Sequence, residues 1–393
     1  MRPAAPPQRR QAFIAGDPLR AVAAVSVIAY HAAYFVAIAS HRWFDSAYGG
    51  FAGGLLASLH LGLFVFFALS GYLISRPFVE AFLAAEKLPS LSSYLRKRLL
   101  RICPPFWAVL TVVLIGWGTM HASALQVVSI YGFAQNYTNP KISILMGQAW
   151  TLDVEIAFYV LVPLGALALA TACRSFGARA RRTALYAVLA GAAIASLAMR
   201  SRSAPLAGAA WETALPAMLF AFIPGVLLAA VETTGIPARL RRSGSPLAGR
   251  LALVFGTAVL AAFVMRGQAV TPQFLDPLGA ALAASGAGLL VAAALLTQWS
   301  YGQAWRLLDN RLMRWVGERS YSLYLVHQPI VVSLAFGVGV SLSASAALAL
   351  TLASALLLSL LAASVLYRYV EAPFLHAHFS RRRWRALPEL QSS

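Results

Sequence analysis

Charge is scarce in this chain. Asp, Glu, Lys and Arg make up 11% of its 393 residues, against about a quarter in an ordinary soluble domain. Acids are the scarcest, 13 against 32 Lys and Arg. A soluble enzyme of this size needs a charged coat, so that class is set aside. Cysteine is nearly missing too. Cys103 and Cys173 stand alone, with no CxxC and no Cys/His spacing. Neither a disulfide framework nor a zinc site is indicated, and no metal is expected. No internal repeat of fixed period occurs.

What the chain has instead is apolar length. Hydrophobic residues make up 60% of it and cluster in long runs rather than alternating. Windows of about 20 apolar residues mark membrane spans. Ten are found, near 19–39, 55–74, 103–120, 150–171, 184–199, 214–231, 251–265, 278–298, 321–340 and 345–367. The expected fold is all-α, a polytopic membrane helical bundle of about ten transmembrane helices. The basic residues test this count. With ten spans, the two tails and the even-numbered loops carry 27 Lys and Arg, and the odd-numbered loops carry 5. Cytoplasmic segments are enriched in Lys and Arg, so both termini are expected in the cytoplasm. The same interspersed distribution argues against nucleic acid as the reason for the net charge of +19. A competing reading takes Arg9, Arg10, the first apolar run and the "AIA" at 37–39 as a cleavable signal peptide. That run is long for a signal core and is interrupted by a histidine. Residues 1–17 are read as a disordered cytoplasmic tail, 18–375 as the transmembrane domain and 376–393 as a basic cytoplasmic tail. The tail's "RRRWR" suits an anionic membrane surface.

An ionisable group inside a bilayer is costly, so each one is a candidate site. His31 lies in the first span, 11 residues after Arg20. At ~1.5 Å per residue the two are ~16 Å apart along the axis and share a face. Arg20 then sits at the cytoplasmic interface and His31 near the midplane. The fourth span holds Asp153 and Glu155, and Glu155 shares a face with Tyr159 four residues on. Asp153, nearer the interface, reads as structural. In the ninth span Tyr321, Tyr324 and His327 recur every three residues and form a polar stripe. Such a stripe faces a cavity or the bundle interior, although Tyr321 also suits an interfacial belt. Ser70 and Gly71 permit either close helix packing or close approach of a ligand. Arg96, Lys97, Arg98 and Arg101 flank the third span. Arg98 and Arg101 share a face and suit a phosphate-rich ligand; membrane anchoring explains the rest of that charge. Gln135, Asn136 and Tyr137 lie in the longest outer loop and could bond sugar hydroxyls, or simply make a turn before Pro140.

Six segments, in order, resemble the acyltransferase 3 family of integral membrane acyltransferases. They are "LRAVAAVSVIAYH" (19–31), "FFALSGYLI" (66–74), "RKRLLRICPPFW" (96–107), "WTLDVEIAFYVLVP" (150–163), "SYSLYLVHQP" (320–329) and "YRYVEAPF" (367–374). The resemblance runs from Leu19 to Phe374. There are departures. Ala21 replaces a usual glycine and Asp153 a common serine. Ile156 stands where many members have a second glutamate, so chemistry needing adjacent carboxylates is not expected. Many members add a C-terminal extracytoplasmic hydrolase-like domain, and the form expected here is one without it.

The resemblance implies O-acyl transfer from a cytoplasmic acyl-CoA, acetyl-CoA or another, to a hydroxyl of a sugar-containing acceptor. Such acceptors include surface polysaccharides, glycolipids and glycosylated metabolites. It also implies the cytoplasmic (inner) membrane of a bacterium. Acyl-CoA is a co-substrate, and no permanently bound cofactor is expected. On this reading Arg20, Arg98 and Arg101, with Ser70 and Gly71, hold the donor. His31 takes the acceptor's proton as general base or carries the acyl group itself. Glu155 orients His31 or positions the acceptor. Tyr159, Asn136, Tyr321, Tyr324 and His327 line the cavity or meet the acceptor. The rival from another class is a transporter or flippase whose buried polar groups form a substrate path. Repeated halves or broken helices would point to it, and the sequence displays neither. A non-catalytic scaffold or receptor would not need His31, Glu155 and the arginines together.

Overall fold

The computed structural model describes residues 13–41, 50–117, 123–138, 144–202, 212–266, 275–301, 310–338 and 342–375. Most of the tail expected at 1–17, and all of the one at 376–393, lie outside the described residues. Within them the fold is helical throughout, with no strand. The order begins α1 (Gly16–Ala39), α2 (Gly50–Ser58), α3 (Gly62–Ala84), α4 (Leu91–Trp117), α5 (Ala124–Tyr131) and α6 (Gln135–Thr138). It continues α7 (Trp150–Ala172), α8 (Ala178–Arg202), α9 (Leu215–Met218), α10 (Ile223–Glu232), α11 (Ile236–Ser243) and α12 (Leu247–Met265). Last come α13 (Pro277–Tyr301), α14 (Arg311–Glu318), α15 (Ser320–Val338) and α16 (Ala344–Leu366), which runs on into a π-turn at Tyr367–Glu371.

Among the described residues, a helix falls in each of the ten expected windows. Eight are long and apolar enough to cross a membrane, or nine if one bent pair counts as a single span. The helix that does not qualify, α15, is the one carrying Tyr321, Tyr324, His327, Gln328 and Pro329, which dilute its apolar run. The bent pair is Leu215–Ala221 with Ile223–Glu232, turned by 48°. The sequence reading expected no broken helix, and this is one. Pro224 supplies the reason: it has no N–H, so the i−4 bond to Phe220 is lost at the bend.

Burial separates inner from outer helices. About two thirds of α1 and α13 is buried (67% each), against 17% of α8 and 22% of α12. The outer faces expose Ile115, Ile194, Phe255, Met265 and Leu357. In water such a surface would be an association patch; in lipid it is the solvated side of the bundle. Backbone groups have no water to turn to in that setting, so every break needs an internal partner. Pro329 shows how this is met. It leaves the Leu325 carbonyl without its i+4 donor, and the Gln148 side-chain amide donates to that oxygen at 3.0 Å. The Gln148 backbone N–H in turn donates to the Gln328 side-chain oxygen at 2.8 Å. α15 is thereby pinned to the segment that leads into α7.

Candidate active site

A narrow cavity of about 100 Å³ opens where α1, α3, α4, α7 and α15 meet. Its polar wall holds Arg20, Arg98, Arg101, Glu155, Tyr159 and Tyr321. These come from four helices and were separate in the sequence. Arg20 donates to Asp17 at 2.8 Å. Arg98 lies over the rings of Tyr94 and Tyr159, 5.9 and 5.7 Å from their centroids. Neither Arg98 nor Arg101 has an ion pair among the described residues. Arg96 and Lys97 point outward and are exposed. α4 begins at Leu91 rather than near 103, and this longer helix is what carries Arg98 and Arg101 to the cavity wall.

Glu155 is the one carboxylate on that wall among the described residues. Its Oε1 accepts from the Ser70 hydroxyl at 2.8 Å and from the Tyr159 hydroxyl at 2.9 Å. The expectation that Glu155 orients His31 therefore gives way: its hydrogen bonds go to α3 and its own helix, among the arginines. Ser70 lines the cavity as expected, but Gly71 does not. A Cβ on Gly71 would meet the Phe222 carbonyl oxygen, and one on Gly225 would meet that of Ala68. This glycine pair lets α3 and α10 touch backbone to backbone, so of its two expected roles Gly71 has the packing one.

His31 lies deeper, off the cavity wall. Its Nδ1 is 3.0 Å from the Val27 carbonyl oxygen and 3.1 Å from Nε2 of His327. Its ring also stacks on Phe35, with centroids 6.1 Å apart. His327 is fully buried, and its Nδ1 lies 2.7 Å from the Tyr324 carbonyl oxygen. The stripe on α15 thus joins the two places: Tyr321 and Tyr324 line the cavity, and His327, one turn on, meets His31. Tyr321 donates to the Ile102 carbonyl at 2.7 Å, and Tyr324 to that of Gln148 at 2.9 Å.

Asn136 is not at the cavity. It is 2% exposed, and its amide nitrogen donates to the carbonyls of Trp150 and Thr213, both at 2.8 Å. Its backbone N–H donates to Asp153 at 3.0 Å. With its hydrogens spent on backbone, Asn136 ties the outer loop to α7 and does not face an acceptor. Asp153, 2% exposed, accepts that backbone bond and is likewise off the cavity wall.

Four residues escaped the sequence reading. His60, 2% exposed, shares the Tyr30 ring with His31, the centroids lying 5.5 and 5.0 Å from it. The rule that singled out His31 applied to it equally, but it sits at the 3₁₀ break before α3, near a window's edge. Ser320 and Thr151 line the cavity. Glu371, 1% exposed, accepts from the Ser322 hydroxyl at 2.6 Å. Its motif was noticed, but the π-turn that turns it inward has no sequence signature. No group of three or more His, Cys, Asp or Glu that could hold a metal occurs among the described residues.

Comparison with known proteins places the chain in a family. The chain is similar to a Bacillus subtilis (strain 168) protein named "Putative peptidoglycan O-acetyltransferase YrhL". The two are 26% identical over 339 residues, which cover 80% of this chain and 48% of that one. The chain thus spans about half the length of the curated relative it matches. No solved structure matches it. The acyltransferase-domain family model matches residues 16–368, taking in the arginine cavity, Glu155 and both histidines. This chain is an integral, multi-pass membrane protein and belongs to the acyltransferase 3 family.

Proposed function

We propose that this protein is a membrane O-acyltransferase that moves an acyl group, acetyl in the first instance, from acyl-CoA to a hydroxyl of a sugar-containing acceptor. The observation that carries this is the α15 stripe, which connects an arginine-lined cavity to a buried histidine pair. Arg98 and Arg101, free of ion pairs among the described residues, are a natural seat for the donor's phosphates. Arg20 and His31 are ~16 Å apart along α1, a span suited to an extended pantetheine arm. The thioester then reaches past Tyr324 to His31. His31 removes the acceptor's hydroxyl proton, the oxygen attacks the thioester carbonyl, the C–S bond breaks, and the thiolate takes the proton back from the imidazole. Glu155, held by Ser70 and Tyr159, positions what occupies the cavity.

Arg20, Arg98, Arg101 and Tyr321 lie on or beside segments that the charge asymmetry assigns to the cytoplasmic side, which supports donor binding from the cytoplasm; Glu155 and Tyr159 lie on a helix entered from the outer loop. A bacterial cytoplasmic membrane is the setting in which cytoplasmic acyl-CoA and an envelope sugar can meet. The relative's name supports a cell-wall polysaccharide as acceptor class. The test is transfer from labelled acetyl-CoA by the protein in lipid nanodiscs, with mass spectrometry of surface glycans and glycosylated metabolites from cells with and without the gene. Loss of one acetylated species, restored by wild type and not by His31→Gln, is expected. Unchanged turnover by His31→Gln overturns the mechanism, and solute uptake without any acyl donor overturns the class.

A further inference from the structure

Taking His31 as the base leaves open which ring nitrogen acts and what holds the ring in that state. His327 answers both. A carbonyl oxygen only accepts hydrogen bonds, so the 2.7 Å contact to the Tyr324 carbonyl puts a proton on Nδ1 of His327. In the neutral ring Nε2 is then a lone pair, and it lies 3.1 Å from Nδ1 of His31. The second neighbour of that nitrogen, 3.0 Å away, is the Val27 carbonyl oxygen, again an acceptor. Flanked by two acceptors, Nδ1 of His31 must carry the proton. Its Nε2 is left as the lone pair and has no partner among the described residues.

We propose that His327 is the positioning residue for His31: it fixes the Nδ1–H tautomer and so makes Nε2 of His31 the basic nitrogen. When His31 takes the hydroxyl proton on Nε2, the Nδ1–H···Nε2 bond to His327 becomes charge-assisted and steadies the imidazolium. The carboxylate of a Ser-His-Asp triad does this with an anion; here a neutral ring does it, at a depth where a buried anion would be costly. Among the described residues, the other titratable groups facing the pair are Tyr30, His60 and Tyr324. His31 meets Tyr30 and Phe35 on its own helix and His60 across the Tyr30 ring, and His327 meets Tyr324. The Pro329–Gln148 staple fixes the turn of α15 that carries His327. This proposal rests on His31 being the base.

Two measurements test it. The first is ¹⁵N NMR of histidine-labelled wild type in lipid, with the His31 signals assigned by difference against His31→Gln. Nδ1 protonated and Nε2 bare is expected; the reverse overturns the proposal whether or not any variant folds. The second compares His327→Leu with His327→Gln, whose amide oxygen can accept where Nε2 stood. His327→Leu should lower kcat roughly 100-fold, the scale of general-base catalysis, with the donor KM unchanged. His327→Gln should restore most of it. Full kcat in His327→Leu overturns the positioning role while leaving His31 as base. Full kcat in His31→Gln instead removes the reading on which the proposal stands.

Discussion

The arginine cavity makes a quantitative prediction that separates donor binding from chemistry. Take Arg98→Ala and Arg101→Ala singly. Each guanidinium lines the cavity and lacks an ion pair among the described residues, so neither is held by a carboxylate contact. Each can give a phosphate one charge-assisted hydrogen bond, worth about 1.5–3 kcal/mol. At about 1.4 kcal/mol per tenfold, each loss weakens acyl-CoA binding roughly 10- to 100-fold. Arg98 stacks on Tyr94 and Tyr159, so a lysine there loses both the stack and the planar fork. Arg98→Lys should recover only part of the affinity. The assay is equilibrium binding of acyl-CoA to the protein in nanodiscs, paired with kcat at saturating donor. The arginine variants raise Kd and keep most of kcat. His31→Gln keeps Kd and loses kcat, because its ring lies off the cavity wall. Wild-type donor Kd in both arginine variants, or a weakened donor in His31→Gln, would refute the division of labour.

Three further substitutions address the frame. Asn136→Ala removes the donor to the Trp150 and Thr213 carbonyls; it should cost about 1–3 kcal/mol of stability, seen as a lower midpoint of thermal unfolding in detergent, while the acceptor KM stays at wild type. Gly71→Val drives side-chain atoms into the Phe222 carbonyl; it should destabilise by about 1–3 kcal/mol or more, and a fully stable Gly71→Val would mean that α3 and α10 are not in backbone contact. Gln148→Leu orphans the Leu325 carbonyl beside Pro329; about 1–3 kcal/mol of stability and a lower kcat with unchanged donor Kd are expected, because the turn carrying His327 loosens.

The helices were legible because lipid imposes a simple rule: apolar runs of sufficient length, with basic residues alternating between their ends. The residues with chemistry were legible for the same reason, since an ionisable group in such a run stands out. Arg20, Glu155, Tyr159, Tyr321 and Tyr324 do share one cavity. Contacts between helices were not legible. Nothing in the spacing shows that Glu155 faces Ser70 rather than His31, or that His31 meets His327 across 296 positions of chain. The acceptor reading of Asn136 took a polar residue in a loop to be exposed, whereas here it is buried and its amide donates to the Trp150 and Thr213 carbonyls. Gly71 carried two readings, and only its neighbour Phe222 decides between them.

The same contacts bear on the two chemistries proposed for His31. An acyl carrier must take the group from the donor and then present it elsewhere, so its ring has to turn or its surroundings have to open. His31 is held on one edge by the Val27 carbonyl and His327, and on one face by Phe35. Turning the ring about its Cβ–Cγ bond would break both Nδ1 contacts, at about 1–3 kcal/mol for a buried group left unpaired. A fixed base needs no such motion, because hydroxyl and thioester both come to Nε2. Rapid quenching of single turnovers with labelled acetyl-CoA should therefore find label on donor and acceptor at every time point and none on protein. Label trapped on a histidine, lost in His31→Gln, would establish the carrier and require the ring to be freer than these contacts allow.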